Sequence, residues 1–299
     1  MTVDDPEFLY HYTSAGGLAG ILGQQCVWAT DTAFLNDASE IQYAGEKLES
    51  MLVDLGKQID LGHPAVGSDE HNKQLVVGTA ASALAKYLRP DEDPFPDNYT
   101  LDGASYVACF STEPDQLSQW RGYGGRGYSI GFTRAGVDAM EVEGETDPNL
   151  LRAGPAYPVQ YGQSAITTLM TEIIGHFMSL APSSTSPTAT GFSAAVNFCM
   201  PKLARVKHDA FEDEHEWRLI VSRYGTDPAN KVEFRYGMRL IPYVKLKFNR
   251  SDVSHIYIGP GNDFNSVRAL RAFLRGNGYD LRTVSIEQTE APYRDAETI

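Results

Sequence analysis

Residues 211–221, FEDEHEWRLIV, join a cluster of acidic residues to a short apolar run. The apolar run LIV is typical of a buried β-strand. Side chains two positions apart lie on the same face of a strand, so Glu214, Glu216 and Arg218 would share one face. A charge buried in a sheet needs a partner. The stretch therefore predicts either a solvated edge strand with a Glu–Arg ladder or a strand that presents a carboxylate to a developing positive charge.

The composition is that of an ordinary globular protein and argues against several kinds of partner. The 299 residues are 42% hydrophobic and 21% charged, with a net charge of −14. Broad non-specific binding to nucleic acid or to anionic membranes needs a basic face, which this balance disfavours. The first residues lack the features of a signal peptide, and no apolar run is long enough to cross a membrane. We expect a cytoplasmic protein with no membrane partner.

The three cysteines are too few and too scattered for a disulfide framework or a zinc knuckle. Cys26, Cys109 and Cys199 each lie among apolar residues, which is typical of buried free thiols. His208 and Glu212 have the spacing of metal ligands on a helix, but no second His or Cys pair accompanies them. We therefore expect no metal.

The hydrophobic pattern along the chain predicts an α+β fold built on a mixed or split sheet. Strands are expected at 8–13, 26–30, 105–110, 128–132, 157–161, 232–236, 238–243, 244–248, 255–258 and 281–286. Helices are expected from Ser14 to Gly23 and at 41–55, 72–88, 166–180, 192–206 and 263–275. Loops are expected at 56–70, 90–98 and 181–190. We predict a single domain over residues 1–299, with helical insertions at about 38–98 and 163–207.

Residues 121–127, RGYGGRG, formally match the G-x-G-x-x-G fingerprint of dinucleotide-binding folds. That fingerprint requires a strand before the glycines and a helix after them. Here the predicted order is the reverse, so we reject the match. The glycines indicate a mobile, hairpin-like loop beside a site.

Three clusters combine hydrogen-bonding groups with aromatic rings: residues 10–13 (YHYT), 118–123 (SQWRGY) and 214–218 (EHEWR). Aromatic faces can stack on planar ligand rings, and an arginine can hold a phosphate with two hydrogen bonds. A carboxylate can stabilise a positive charge that develops at an anomeric carbon. The clusters also have a purely structural interpretation. The histidine would then form its hydrogen bonds within the fold, the tryptophans would lie in the core, and the arginines would be ordinary surface charges.

The motifs YHYTS, LNDASE, ACFS, LSQWRGYG, GYSIGF and HEWRLI resemble, in this order, the bacterial protein family DUF2971, whose function is uncharacterised. The resemblance extends from about Tyr10 to Ile258. More weakly, the segment LYHYTSAGGLAGIL is similar to the opening of ADP-ribosyltransferase-like enzymes, so that an ADP-ribosyltransferase-like fold is implied.

The second resemblance implies a role for several residues in binding and cleaving NAD. His11 would contact a ribose, Tyr123 or Tyr128 would stack on nicotinamide, and Glu216 would be the catalytic carboxylate with Glu214 beside it. The remaining residues expected to bind the dinucleotide are Tyr10, Thr13, Asn36, Gln119, Trp120, Arg121 and Arg218.

The activity implied is NAD-dependent transfer of ADP-ribose to a macromolecule, either nucleic acid or protein, in a toxin or phage-defence setting. Two other functions remain open: a non-catalytic nucleotide- or nucleic-acid-binding module, and a hydrolase of nucleotides or phosphodiesters. Nucleic-acid binding would be supported if Arg250, Arg268, Arg271 and Arg275 lie on one surface.

Overall fold

The structure is a computed structural model that describes residues 5–35, 38–88, 105–144, 155–180, 185–222, 232–236, 239–261 and 264–291. The strands are β1 (Phe8–Thr13), β2 (Cys26–Asp31), β3 (Ser105–Ser111), β4 (Tyr128–Thr133), β5 (Glu141–Val142), β6 (Tyr157–Pro158), β7 (Gln160–Tyr161), β8 (Val206–Lys207), β9 (Glu216–Ser222), β10 (Glu233–Tyr236), β11 (Leu240–Lys247), β12 (Val253–Ile258) and β13 (Ser285–Gln288).

The α-helices are α1 (Ala15–Gln24), α2 (Ala38–Leu61), α3 (Asp69–Leu88), α4 (Leu117–Gln119), α5 (Arg134–Asp138), α6 (Gly162–Leu180), α7 (Pro187–Ala194), α8 (Met200–Leu203) and α9 (Phe264–Gly276). Short 3₁₀ helices span Thr32–Phe34, Asp209–Glu214 and Arg250–Asp252, and π-helical turns span Trp120–Gly124 and Ala195–Cys199. Within the described ranges, no helix combines the length and the apolar character needed to cross a membrane.

A mixed sheet forks at strand β3. One edge of β3 pairs along its whole length with β9, from Ser105 opposite Ser222 to Ser111 opposite Glu216. The other edge is shared, because its beginning pairs with β2 and its end pairs with β1. The branches then continue as β2-β11-β10 and as β1-β4-β12-β13. Neither branch covers the middle of that edge, so the backbone of Cys109 needs another hydrogen-bond partner there.

Helices cover both faces of the sheet. On one face, α1, α5 and α9 pack on the sheet over a core that includes Leu219 and Leu274. On the other face, α2, α3, α6, α7 and α8 pack chiefly on one another around Leu48 and Phe177. A smaller apolar contact at Ile220 joins this helical layer to β3 and β9. The two segments expected as helical insertions therefore pack together as one layer.

The mixed α+β architecture is confirmed, and β1, β3 and β4 lie within one residue of their predicted bounds. Strand β9 also forms, but it is not a solvated edge. All seven of its residues are buried, and it pairs with β3 on one side and with β6 on the other. The alternative of an exposed Glu–Arg ladder is therefore wrong.

Several predicted boundaries are also wrong. Helix α1 runs past Gly23 and stops at Gln25, whose left-handed backbone (φ 53°) lets its N–H reach the Ile21 carbonyl. The loop expected at 56–70 is mostly helical, because α2 continues to Leu61 and α3 begins at Asp69. Residues 187–190, expected in a linker, open α7. Proline is tolerated at that first helical position, where its missing N–H has no partner to lose.

Two further differences concern the strands and the glycine-rich stretch. Strand β11 is one continuous strand where two were predicted. The stretch expected as a hairpin-like loop begins with a π-helical turn, in which the Gly125 N–H donates to the Trp120 carbonyl at 2.6 Å. The order of a helix before the glycines and a strand after them is confirmed, which excludes the dinucleotide fingerprint.

Gly127 ties the end of this turn to β1 by a close backbone approach. A Cβ atom at Gly127 would lie 2.1 Å from the Thr13 carbonyl oxygen, whereas one at Gly122 would meet nothing within 4 Å. We expect Gly127→Ala to lower the free energy of unfolding by about 1–3 kcal/mol, measured by urea denaturation. The matched Gly122→Ala variant should be neutral or slightly stabilising. Equal effects of the two variants would contradict this packing.

Candidate active site

Four charged side chains form a buried cluster between the sheet and the helical layer. The Lys207 ammonium lies 2.7 Å from Glu214 Oε2 and 2.9 Å from Glu216 Oε2. Arg218 donates from Nε to Glu216 Oε1 at 2.8 Å and from a terminal nitrogen to Glu216 Oε2 at 3.1 Å. The two positive and two negative charges balance, which is what makes their burial tolerable. We refer to Lys207, Glu214, Glu216 and Arg218 as the ion cluster.

Local backbone geometry brings the two carboxylates together. Glu214 ends a 3₁₀ helix, and His215 follows in a left-handed conformation with φ 44°. Glu216 then begins β9, so Glu214 is not on the strand as its spacing predicted. The Glu214 carbonyl accepts hydrogen bonds from the Ser111 hydroxyl at 2.8 Å and from the Gln119 amide at 3.2 Å. These bonds fix the turn against β3 and α4.

Glu216 is held in its ionised form. Burial alone would raise the pKa of this carboxyl, but the Arg218 guanidinium and the Lys207 ammonium outweigh burial and lower the pKa to about 2. The Cys109 thiol adds a hydrogen bond to the same carboxylate. For Lys207, burial opposes the charge, while Glu216 and Glu214 attract it and leave its pKa above the ordinary value. Glu216 and Lys207 therefore stay charged at neutral pH.

His11 lies at the fork of the sheet and supplies the missing partner there. Its Nδ1 atom is 2.8 Å from the Cys109 carbonyl oxygen, between the positions where β1 and β2 pair with β3. Since a carbonyl only accepts, Nδ1 carries the proton. Burial lowers the pKa of the imidazole, against the opposing effect of the Cys109 hydrogen bond. His11 is thus neutral, and its Nε2 is a hydrogen-bond acceptor.

A cavity of about 60 Å³ lies at this fork, between His11 and the ion cluster. Its lining residues are Tyr10, His11, Tyr12, Cys109, Phe110, Gln119, Tyr123, Glu214 and Glu216. It therefore combines a neutral imidazole, two carboxylates and several aromatic rings in one small enclosure. Such a combination suits a ligand that carries both hydroxyl groups and a developing positive charge.

Tyr123 lines this cavity and also lines two larger concavities. One, of about 540 Å³, is lined by Arg121, Arg126 and the glycines of the 120–127 turn. The other, of about 180 Å³, borders Lys207 and Arg218. The Tyr123 ring is 42% exposed, and its hydroxyl donates to the Glu214 carboxylate at 3.3 Å. Tyr123 thus borders all three spaces.

The structure brings together most, but not all, of the residues expected at the site. Those at the small cavity are Tyr10, His11, Gln119, Tyr123, Glu214 and Glu216. Arg121 lines the larger concavity, and Arg218 lies behind Glu216 with 1% exposure. Asn36 is outside the described residues.

Three expected contacts lie elsewhere in the fold. Trp120 is fully buried, packs on Tyr12, and donates from its indole nitrogen to Asp115 at 2.6 Å, so its ring faces the core and not a ligand. Tyr128 packs against the main apolar core and Thr13 lies beside Gly17, and neither lines the cavity. Of the two candidate stacking tyrosines, only Tyr123 lies at the cavity.

Lys207 is the most important residue that the sequence did not indicate. It lies nine positions before Glu216, in a two-residue strand whose only apolar signal is Val206. The Tyr161 hydroxyl, which accepts the Glu216 N–H at 2.9 Å, was also missed. A lysine directly after an apolar residue and before an acidic cluster was the available signal for Lys207.

These features define a mixed α+β protein with a charged cavity at a forked sheet. Residues 119–219 match the family DUF2971, described as a protein of unknown function. The resemblance inferred from the motifs is thus confirmed over the segment from Gln119 to Leu219, which holds the π-helical turn and the ion cluster. Neither the curated proteins nor the solved structures gave a significant match.

Removal of the Glu216 charge should lower the free energy of unfolding more than removal of the Glu214 charge. Glu216→Gln leaves the Arg218 guanidinium buried without its carboxylate, which costs about 3–5 kcal/mol of unfolding free energy. Glu214→Gln should cost less, because Lys207 keeps Glu216 as a partner. Urea denaturation of both variants measures the difference. A Glu216→Gln protein as stable as the parent would contradict the role of the ion cluster.

Acid should destabilise the protein through Glu216. Its pKa is about 2 in the folded protein against an ordinary 4.5, so the ionised carboxylate stabilises the fold above about pH 4.5. That stabilisation, roughly 3 kcal/mol, is lost as the pH falls from 4.5 towards 2. Urea denaturation at a series of pH values should show the loss. The Glu216→Leu/Arg218→Met variant, which lacks the pair, should lose correspondingly less, and parallel pH profiles would be evidence against the low pKa.

Proposed function

We propose that this protein has an ADP-ribosyltransferase-like fold and transfers ADP-ribose from NAD to a macromolecule. The observation that carries the proposal is the cavity at the sheet fork, where the neutral His11 and the carboxylates of Glu214 and Glu216 line one enclosure beside Tyr123. The forked mixed sheet agrees with the split-sheet architecture implied by the sequence resemblance.

The sizes of the cavities suit a dinucleotide that binds across two spaces. The small cavity of about 60 Å³ can take only part of such a ligand, and its tyrosines and His11 suit the nicotinamide riboside end. The concavity of about 540 Å³ beyond Tyr123 is lined by Arg121 and Arg126, which suit the pyrophosphate. In this arrangement Tyr123 lies at the junction, where it can stack on the nicotinamide ring.

The residues of the site could then act as follows. The Nε2 atom of His11 accepts a hydrogen bond from a ribose hydroxyl and fixes the sugar. The bond between the ribose C1′ and the nicotinamide nitrogen breaks, and its electron pair leaves with neutral nicotinamide. The carboxylates of Glu214 and Glu216 stabilise the ribosyl cation that remains. A nucleophilic oxygen or nitrogen of the acceptor attacks C1′ and loses a proton to solvent.

The two carboxylates differ in how far they are engaged. Glu216 receives charged hydrogen bonds from Lys207 and Arg218 on both of its oxygens. Glu214 receives one charged bond, from Lys207, and its other oxygen is contacted by the Tyr123 hydroxyl. A ligand that displaces the tyrosine hydroxyl would therefore contact Glu214 first. The negative charge of Glu216 would then contribute to the electrostatic potential of the site from behind Glu214.

The experiment that tests this function combines NAD binding with nicotinamide release. We expect NAD to raise the melting temperature of the protein in a saturable manner. Glu214→Gln should retain this rise but release nicotinamide roughly a hundredfold more slowly, because one preorganised electrostatic contact is worth about 3 kcal/mol. His11→Ala should weaken NAD binding itself.

Glu212→Gln is the matched control, since Glu212 lies on the same 3₁₀ helix but is exposed and does not line the cavity. It should behave like the parent protein. A flat melting response to NAD in the parent would remove the proposal. Nicotinamide release that Glu214→Gln and Glu212→Gln slow to the same degree would remove the assigned role of Glu214.

A further inference from the structure

Helix α9 presents a row of arginines to solvent. Arg268, Arg271 and Arg275 are all exposed and occupy positions i, i+3 and i+7, so they lie on one face of the helix. Exposed Phe264, four residues before Arg268, continues the same face. The opposite side, with Leu270 and Leu274, packs into the main apolar core. The helix is thus firmly seated, and its basic face is directed outward.

This positive charge is not neutralised within the described part of the chain. Helix α9 contains no acidic residue, and none of its three arginines has an acidic partner within 4 Å among the described ion pairs. The chain as a whole carries a net charge of −14. A row of uncompensated cations on such an acidic protein indicates an anionic partner at this face.

The row is extended at both ends by further arginines. At the C-terminal end of α9, Arg250 donates from Nε to the Asn277 carbonyl at 2.7 Å. At the other end, Gly261 lies three residues before the helix, and a Cβ atom built there would be 3.4 Å from Arg126 Nε. Arg126 lines the large concavity next to Tyr123. We refer to these residues, from Arg250 at one end of α9 to Arg126 beside the candidate active site, as the arginine track.

We propose that this track, Arg126, Phe264, Arg268, Arg271, Arg275 and Arg250, binds the sugar–phosphate backbone of a single-stranded nucleic acid. The proposal that this surface binds a strand does not depend on the proposed function. The further proposal that the bound strand is the ADP-ribose acceptor rests on the function proposed above. Proteins that hold single strands combine a basic path with aromatic rings on which bases stack. Phe264, 79% exposed, supplies such a ring at the end nearer the site.

The structure favours this partner over the other polyanions. Insertion of α9 into a membrane interface would require its apolar side, which is buried in the core. A duplex would present no unstacked base to Phe264. From Arg268 to Arg275 the helix rises about 10 Å, so these three arginines can contact more than one phosphate of a strand.

The test is the binding of fluorescently labelled single-stranded oligonucleotides, measured by anisotropy at several salt concentrations without NAD. For single strands, each phosphate contact contributes about −0.7 to the slope of log K against log salt. The Arg268→Gln/Arg271→Gln/Arg275→Gln variant should therefore weaken binding by roughly tenfold or more and reduce the slope by about 2 in magnitude. Phe264→Ala should reduce the preference for a single strand over a duplex.

The control is Lys57→Gln/Lys73→Gln/Lys202→Gln, which removes the same charge from the helical layer, where these lysines pair with surface acids. It should leave the slope unchanged. No binding by the parent, equal weakening by both triple variants, or equally tight binding of polyglutamate or of a duplex would each overturn the proposal. The binding assay contains no NAD, so the two proposals are tested separately. If NAD does not raise the melting temperature, the oligonucleotide result is unaffected. If the oligonucleotide does not bind, the NAD result is unaffected.

Discussion

The buried ion cluster is the interaction on which the rest of the structure depends. It joins three consecutive segments of the chain: Lys207 comes from β8, Glu214 from a 3₁₀ helix, and Glu216 and Arg218 from β9. Arg218 also donates to the Ala204 carbonyl at the end of α8 at 2.7 Å, which fastens the helical layer to the sheet. Since every charge is buried, each member requires the others. A carboxylate at this place is therefore possible only because two cations were placed behind it.

The fork in the sheet explains why the cavity lies where it does. Regular pairing would have filled both edges of β3 with backbone partners. Because β1 and β2 diverge, the Cys109 carbonyl is left to a side chain, and the position is taken by His11. The same divergence opens the space between β1 and the ion cluster. The site is thus a result of sheet topology, and its histidine both completes the fold and faces the cavity.

Sequence patterns predicted the strands well and the contacts of the site less well. Strand β1 was recovered with its observed bounds, and the acidic stretch before LIV was correctly read as leading into a buried strand, because both follow from local side-chain alternation. The partnership of Lys207 with two glutamates depends on the left-handed backbone at His215, which side-chain alternation does not predict. Trp120 was misjudged because an aromatic next to an arginine looks the same in sequence whether its ring faces the core or a ligand.

The pairing of β3 with β9 has a consequence for how the molecule is assembled. The buried hydroxyls of Ser105 and Ser222, at one end of this ladder, are 117 positions apart in the chain. Closing so long a loop carries a large entropic cost before any contact compensates it, and folds dominated by such contacts form slowly. His11 lies on an early strand and Glu216 on a late one, so a nascent chain cannot possess the cavity until most of it has been synthesised. Any chemistry performed at this site is consequently withheld until folding is nearly complete.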